Sequence, residues 1–237
     1  MKNIVSIDPS LISTALVVKT PNNFKMFNYC REKDAYGKKS MNKWFKICEQ
    51  YIEYKFIEYR EFKDYSEGEI TKLKDYDKIT DQIIDDIKSI IDDNLETIVG
   101  IEGYNFGAQV GDLVDLVVFS TLLRNKLYDK ISKNIKIFSP STLKLETCKL
   151  TYKPILKEIG GKNPRTEYIW KNNIGISGGS FGKHDIYMSI VENNTFNDNW
   201  AILCKSLEED VLNISKVPKP IEDINDAWVM CKILENI

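Results

Sequence analysis

The sequence predicts an α/β domain built on a mixed central sheet of about five strands flanked by helices. Three observations carry that expectation: an apolar hairpin in the first twenty residues, a short buried run at Thr97–Glu102, and apolar positions at helical spacing between and after them. A chain of 237 residues can bury such a core without staples, and 43% hydrophobic with 11% aromatic content excludes global disorder. A single domain over residues 1–237 is expected, with inserted segments at about 38–93 and 149–180.

The opening KNIVSIDPSLISTALVVKT reads as two strands around a turn at Asp8-Pro9-Ser10, with a third strand near Phe24–Tyr29. From about Lys38 to Lys63 the positions Trp44, Phe45, Cys48, Tyr51, Ile52 and Phe56 suit a helix. Ile79–Ile91 repeats isoleucine at the same spacing, so two helices fill the gap before the next strand. TIVGIE, Thr97–Glu102, is a buried strand ending on a carboxylate, followed by a loop at Gly103–Gly107. Residues 109–128 have helical length but are apolar on most sides, which points to a helix that is sandwiched in the core or covers a second surface. Asn134–Phe138 is a strand, and Ser139-Pro140-Ser141 starts a helix with a cap and a first-turn proline. Residues 149–183, rich in Lys, Asn and Gly, read as an extended loop with short ordered pieces. Helices follow over Lys183–Val191 and Ile221–Ile237.

Five cysteines at wide, unequal spacings and one histidine form neither a disulfide framework nor a zinc site, and fit reduced thiols used as small apolar side chains. Any metal would therefore need oxygen ligands. No window approaches the roughly 18 apolar residues of a membrane span, and the start has no signal-peptide pattern, so a cytoplasmic protein without membrane partners is expected. The net charge of −2 hides an asymmetry. Residues 126–183 hold twelve basic and four acidic side chains, net +8, whereas residues 184–237 hold four and ten, net −6. A basic block beside an acidic one suits a protein that grips a polyanion and holds divalent cations; solvated lysine-rich loops would look the same.

Four carboxylates stand where the elements converge. Asp8 ends the first strand and Glu102 ends TIVGIE; if the two strands are parallel neighbours, these acids lie side by side. Asp223 and Asp226 open the last helix three residues apart, on one face. Acids gathered without basic partners repel unless a cation is held among them. Mg²⁺ suits such a site, and two ions about 4 Å apart would clamp an in-line phosphodiester displacement. Singly, each acid is also explained as a turn former, a surface charge or a helix N-terminal acid.

IVSIDPSLISTALVV resembles the first motif of the RuvC-like branch of the RNase H-like nucleases, IVGIEGYNFG its second and EDINDAWVM its last. FSPSTLKL is similar to the proline-serine-lysine segment after the next strand, and GKHDIYM to the later lysine-bearing helix start. The resemblance implies an RNase H-like fold and a Holliday-junction resolvase of the phage or viral kind. It would use Mg²⁺ or Mn²⁺, two ions per site, and act on four-way and other branched DNA as a homodimer in the host-cell cytoplasm. It implies Asp8, Glu102, Asp223 and Asp226 as catalytic metal ligands, with Lys144 and Lys183 near the phosphate. Lys149, Lys153, Lys157, Lys162 and Arg165 of the basic block would contact DNA. Ser10 stands where many relatives have glycine. Asn105 occupies the position of an expected aromatic, leaving its neighbours Tyr104 and Phe106 both as candidates to meet the junction. Two other readings are a nucleotide-binding protein of the actin and sugar-kinase type, which needs a duplicated domain that is not visible, and a catalytically inactive DNA-binding scaffold, which would not need all four acids.

Overall fold

The computed structural model describes the chain except residues 38, 59–61, 105–109, 162–163, 171–173, 176–180 and 215. Its centre is a six-stranded sheet of order β4-β3-β2-β1-β5-β6 among the described residues. The strands are β1 (Asn3–Asp8), β2 (Ser13–Lys19), β3 (Phe24–Cys30), β4 (Ile52–Phe56), β5 (Thr97–Glu102) and β6 (Ile135–Phe138). β1, β2 and β3 form an antiparallel meander; β4 joins β3, β5 joins β1 and β6 joins β5, each in parallel. This is the mixed, helix-flanked sheet expected from the sequence, with one strand more.

That extra strand is β4. A single helix was expected over 38–63; instead α2 (Lys39–Cys48) stops, Tyr51 N–H closes a turn on the Cys48 carbonyl at 2.9 Å, and Ile52 enters the sheet opposite Met26. The β-branched and aromatic run IEYKF fits a pleated edge better than another helical turn. Before α2 lies one short turn, α1 (Glu32–Ala35). The second expected helix is longer than its isoleucine stripe: α3 runs Tyr65–Lys88, with Asp64 as N-cap accepting from Glu67 N–H at 2.9 Å.

Alternation along the strands sends successive side chains to opposite faces. Val5, Ile7, Leu16, Val18, Phe27, Val99 and Ile101 face a core closed by α3 and by α4 (Val110–Lys130), whose Phe119, Leu123 and Leu127 are buried. Val114 and Val118 on α4 remain 57% and 39% exposed, so part of its apolar surface points outward. Ile4, Ala15, Val17, Met26 and Ile98 face the other core. This second core is filled by α5 (Pro140–Tyr152), α6 (Lys183–Glu192), α7 (Asn199–Ser206), α8 (Glu208–Leu212) and α9 (Ile221–Glu235). Ser139 caps α5, accepting from Thr142 N–H at 3.1 Å.

The expected loop at 149–183 is also corrected. It carries an antiparallel sheet of β7 (Ile155–Ile159), β8 (Arg165–Trp170) and β9 (Ile174–Gly175), seated on the domain by Trp170, whose ring meets Tyr152 and Phe181 at 5.2 and 4.9 Å. All five cysteines are free and buried. No helix among the described residues is long and apolar enough to cross a membrane.

Candidate active site

The sheet register places the first pair of acids. Ile7 pairs with Ile101, so Asp8 and Glu102 are the next residues on adjacent parallel strands, and both project to the α9 face with Ser6 and Gly100 behind them. The Asp8 and Glu102 carboxyls are near enough for the second to act on the titration of the first. Burial first, then the negative charge of Glu102, drives the Asp8 pKa well above the ordinary carboxylate range. Lys183 pulls it in the opposite direction, and Asp223 adds to the rise.

The second pair arrives on α9, which crosses the sheet as a near-perfect length match, since fifteen helical residues span about 22 Å and a six-residue strand about 20 Å. Its C-terminal end is tied to the far edge by Lys2 Nζ on the Leu234 carbonyl at 2.9 Å and by the Lys19–Glu235 ion pair at 2.8 Å. Its first turn therefore lies over the edge that carries Asp8. Gly100 makes the close approach possible: a Cβ there would stand 2.7 Å from Leu234 Cδ1 and 2.9 Å from Met230 Sδ. Asp223 and Asp226 are 5% and 2% exposed. Buried carboxylates need partners. Asp223 accepts from Ser13 Oγ at 2.6 Å and from Lys219 Nζ at 2.5 Å, and Asp226 pairs with Lys183 Nζ. Ser13 is itself held by Asn28 of β3, whose Nδ2 donates to Ser13 Oγ at 3.0 Å. Burial opposes the Lys219 ammonium, but Asp223, Glu222 and Asp8 outweigh it and hold its pKa above the usual lysine value.

Ser13, Asn28 and Lys219 are members of the cluster that the sequence did not reveal. Ser13 and Asn28 sit on strand faces whose pairing fixes their contact, and Lys219 is four residues before Asp223, a helix-like spacing across the start of α9. Among the described residues no group of three or more acids, histidines or thiols is drawn together as a formed metal cage. Asp8 and Glu102 turn to each other, while Asp223 and Asp226 each turn to a lysine. The donor set nevertheless suits a hard cation: four carboxylates at one sheet edge, two of them already drawing cationic ammonium groups.

The basic block is less free than its charge suggests. Lys126 pairs with Asp77 and Asp81 at 2.7 and 2.9 Å and Lys130 with Asp81 at 3.1 Å, so both tie α4 to α3. Lys149 pairs with Glu146 at 2.9 Å and lies over the Tyr168 ring; Arg165 pairs with Glu167 at 3.2 Å. Lys153, at the C-cap of α5 with φ 49°, and Lys157 on β7 are exposed. Lys144 is half-buried on α5, and no bond among the described residues links it to the four acids. Of the expected DNA contacts, Lys183 reaches them through its pairing with Asp226. Tyr104 is half-buried two residues beyond Glu102, with its ring against the Arg124 guanidinium of α4. Phe106 and Lys162 lie outside the described residues.

No protein-family model matches the chain, and no curated protein matches it by sequence. Among solved structures it is similar to RuvC of T. thermophilus in complex with a Holliday-junction substrate, at 7% identity and TM-score 0.44, covering 100% of this chain and 96% of that one. A second Thermus thermophilus RuvC structure is similar at 8% identity and TM-score 0.43, covering 99% and 95%. A Ppx/GppA phosphatase of Aquifex aeolicus is similar at 12% identity and TM-score 0.25, covering 91% and 65%.

Proposed function

We propose that this chain is a divalent-metal-dependent, structure-selective endonuclease that hydrolyses phosphodiester bonds in Holliday junctions and other branched DNA, working as a homodimer. What supports the reading is that Asp8 and Glu102 are the next residues on adjacent parallel strands and that α9, which opens with Asp223 and Asp226, packs against both strands. On this reading those four acids would hold two Mg²⁺ or Mn²⁺ ions. The crowding that raises the Asp8 pKa is relieved by a divalent charge as it is by a proton. When bound, the ions supply a water of lowered pKa and a Lewis acid for the leaving oxygen.

The chain's own residues do the rest. Ser13, anchored on Asn28, fixes one oxygen of Asp223 and so the direction of its carboxylate. Lys183, from the start of α6, and Lys219, just before α9, pair with Asp226 and Asp223 and exchange them for phosphate oxygens as DNA enters. Lys144, Lys149, Lys153, Lys157, Lys162 and Arg165 hold the arms of the substrate through its phosphates. Tyr104 and Phe106, on either side of Asn105, are the two candidates to meet the bases at the branch. Cleavage of a mobile four-way junction in Mg²⁺, stopped by EDTA and absent on linear duplex, is the expected result. An intact junction after prolonged incubation with micromolar protein rules the reading out.

Dimerisation is assigned to α4 at the groove it shares with α3, where Val114 and Val118 stay exposed beside Ile70 and Leu73. A two-fold pair supplies two matched sites from one self-complementary patch. Sedimentation at micromolar concentration is expected to give a dimer, and Val114→Glu, at an exposed apolar position of α4, a monomer. Leu116 and Val117 are half-buried and make less direct probes. A parent protein that sediments as a monomer and still makes paired cuts excludes this interface.

A further inference from the structure

The parallel ladder between β1 and β5 begins with Asn3 N–H on the Glu96 carbonyl at 2.8 Å and advances two residues at a time. The amide that would next reach the Glu102 carbonyl belongs to residue 9. Residue 9 is proline, which has no N–H. The carbonyl of the second acid is thus left without its ladder donor at the strand end where its carboxylate must be aimed. Arg124 takes that place: its Nη2 donates to the Glu102 carbonyl at 3.2 Å from α4. The same guanidinium lies 4.3 Å from the centre of the Tyr104 ring, and the Tyr104 hydroxyl is 3.1 Å from Thr121 Oγ1, one helical turn before Arg124. Arg124 Nε is buried and without a hydrogen-bond partner among the described residues, so the fork is committed to this carbonyl and ring rather than to a carboxylate. From the other side, Gly103 N–H donates to the Phe138 carbonyl at 2.6 Å.

We infer that Arg124 is a positioning residue that replaces the hydrogen bond Pro9 cannot make, and so fixes the end of β5 and the direction of the Glu102 carboxylate. The inference rests on Glu102 being a metal ligand of the nuclease proposed above. Groups that orient a metal ligand from behind cost about 10–100-fold in metal affinity when removed.

The test is direct titration of the DNA-free protein with Mn²⁺, read by the electron paramagnetic resonance of the free ion. Arg124→Met is expected to weaken binding about tenfold, and Arg124→Lys by less. Adding Pro9→Ala to Arg124→Met restores an amide donor and is expected to recover most of the loss, whereas in a Glu102→Gln background Arg124→Met should cost nothing further. Equal losses with and without Glu102, or no recovery from Pro9→Ala, overturn the inference. If Arg124→Met does not fold, the same comparison is made with Arg124→Lys. A parent that binds no Mn²⁺ defeats the nuclease reading instead. The clamp is then judged by amide hydrogen exchange at residues 102–104, which Arg124→Met must accelerate and Pro9→Ala must slow again.

Discussion

Asp8→Asn is expected to lower junction cleavage by about 10³-fold or more while junction binding persists, because groups that act as one unit lose nearly everything with any one member. The amide keeps the shape and removes the ligand charge. Stability should move the other way in EDTA. The folded-state pKa of Asp8 is raised by burial and by Glu102, so the carboxyl favours folding below its unfolded value near 4, and that contribution is lost as pH rises through the folded value. At pH 7 the parent bears the cost and the amide does not. Asp8→Asn should therefore melt higher than the parent at pH 7 without metal, and the difference should vanish by about pH 4. Mg²⁺ should raise the melting temperature of the parent and leave that of the variant nearly unchanged. An Asp8→Asn protein that cuts at the parent rate removes Asp8 from the site.

Gly100→Val should be the most damaging single change away from the acids. A side chain there meets Leu234 and Met230, both fully buried, and the interior has no free volume to receive it. Overpacking of this kind costs about 1–3 kcal/mol. The larger effect is on activity: α9 lifts from β5 and carries Asp223 and Asp226 away from Asp8 and Glu102. Displacements of about 1 Å cost on the order of 100-fold in rate. Cleavage should fall well beyond what the thermal melt explains, with Gly100→Ala between the two. A Gly100→Val protein with parental cleavage would show that α9 does not bring its acids to β5.

The parts of this site that the sequence announces are those set by local pattern. β1, β2, β3, β5 and β6 are apolar runs punctuated by turns, and TIVGIE ends on its acid at the residue expected. The carboxylates could be placed because each closes or opens such an element. β4 was hidden because Tyr51, Ile52 and Phe56 continue the stripe of α2, and periodicity cannot tell a short strand from one more helical turn. The first half of α3 is charged on most sides, and only the Asp64–Glu67 cap marked its start. β7 (ILKEI) and β8 (RTEYIW) are short and mostly exposed, and the Gly160-Gly161 pair between them reads as a breaker. The lysine on Asp226 and the serine behind Asp223 depend on contacts between distant parts of the chain, which no local pattern encodes.

Ser13 and Asp223 lie 210 residues apart, yet share a 2.6 Å hydrogen bond. The carboxylate cluster is thus among the last features a folding chain can complete, since loops of that span close slowly. A nascent or partly folded copy has β1 and β5 but no docked α9, and carries only half of the acids. On the reading proposed above, a copy whose α9 has not docked lacks the complete set of acids and is not expected to cut.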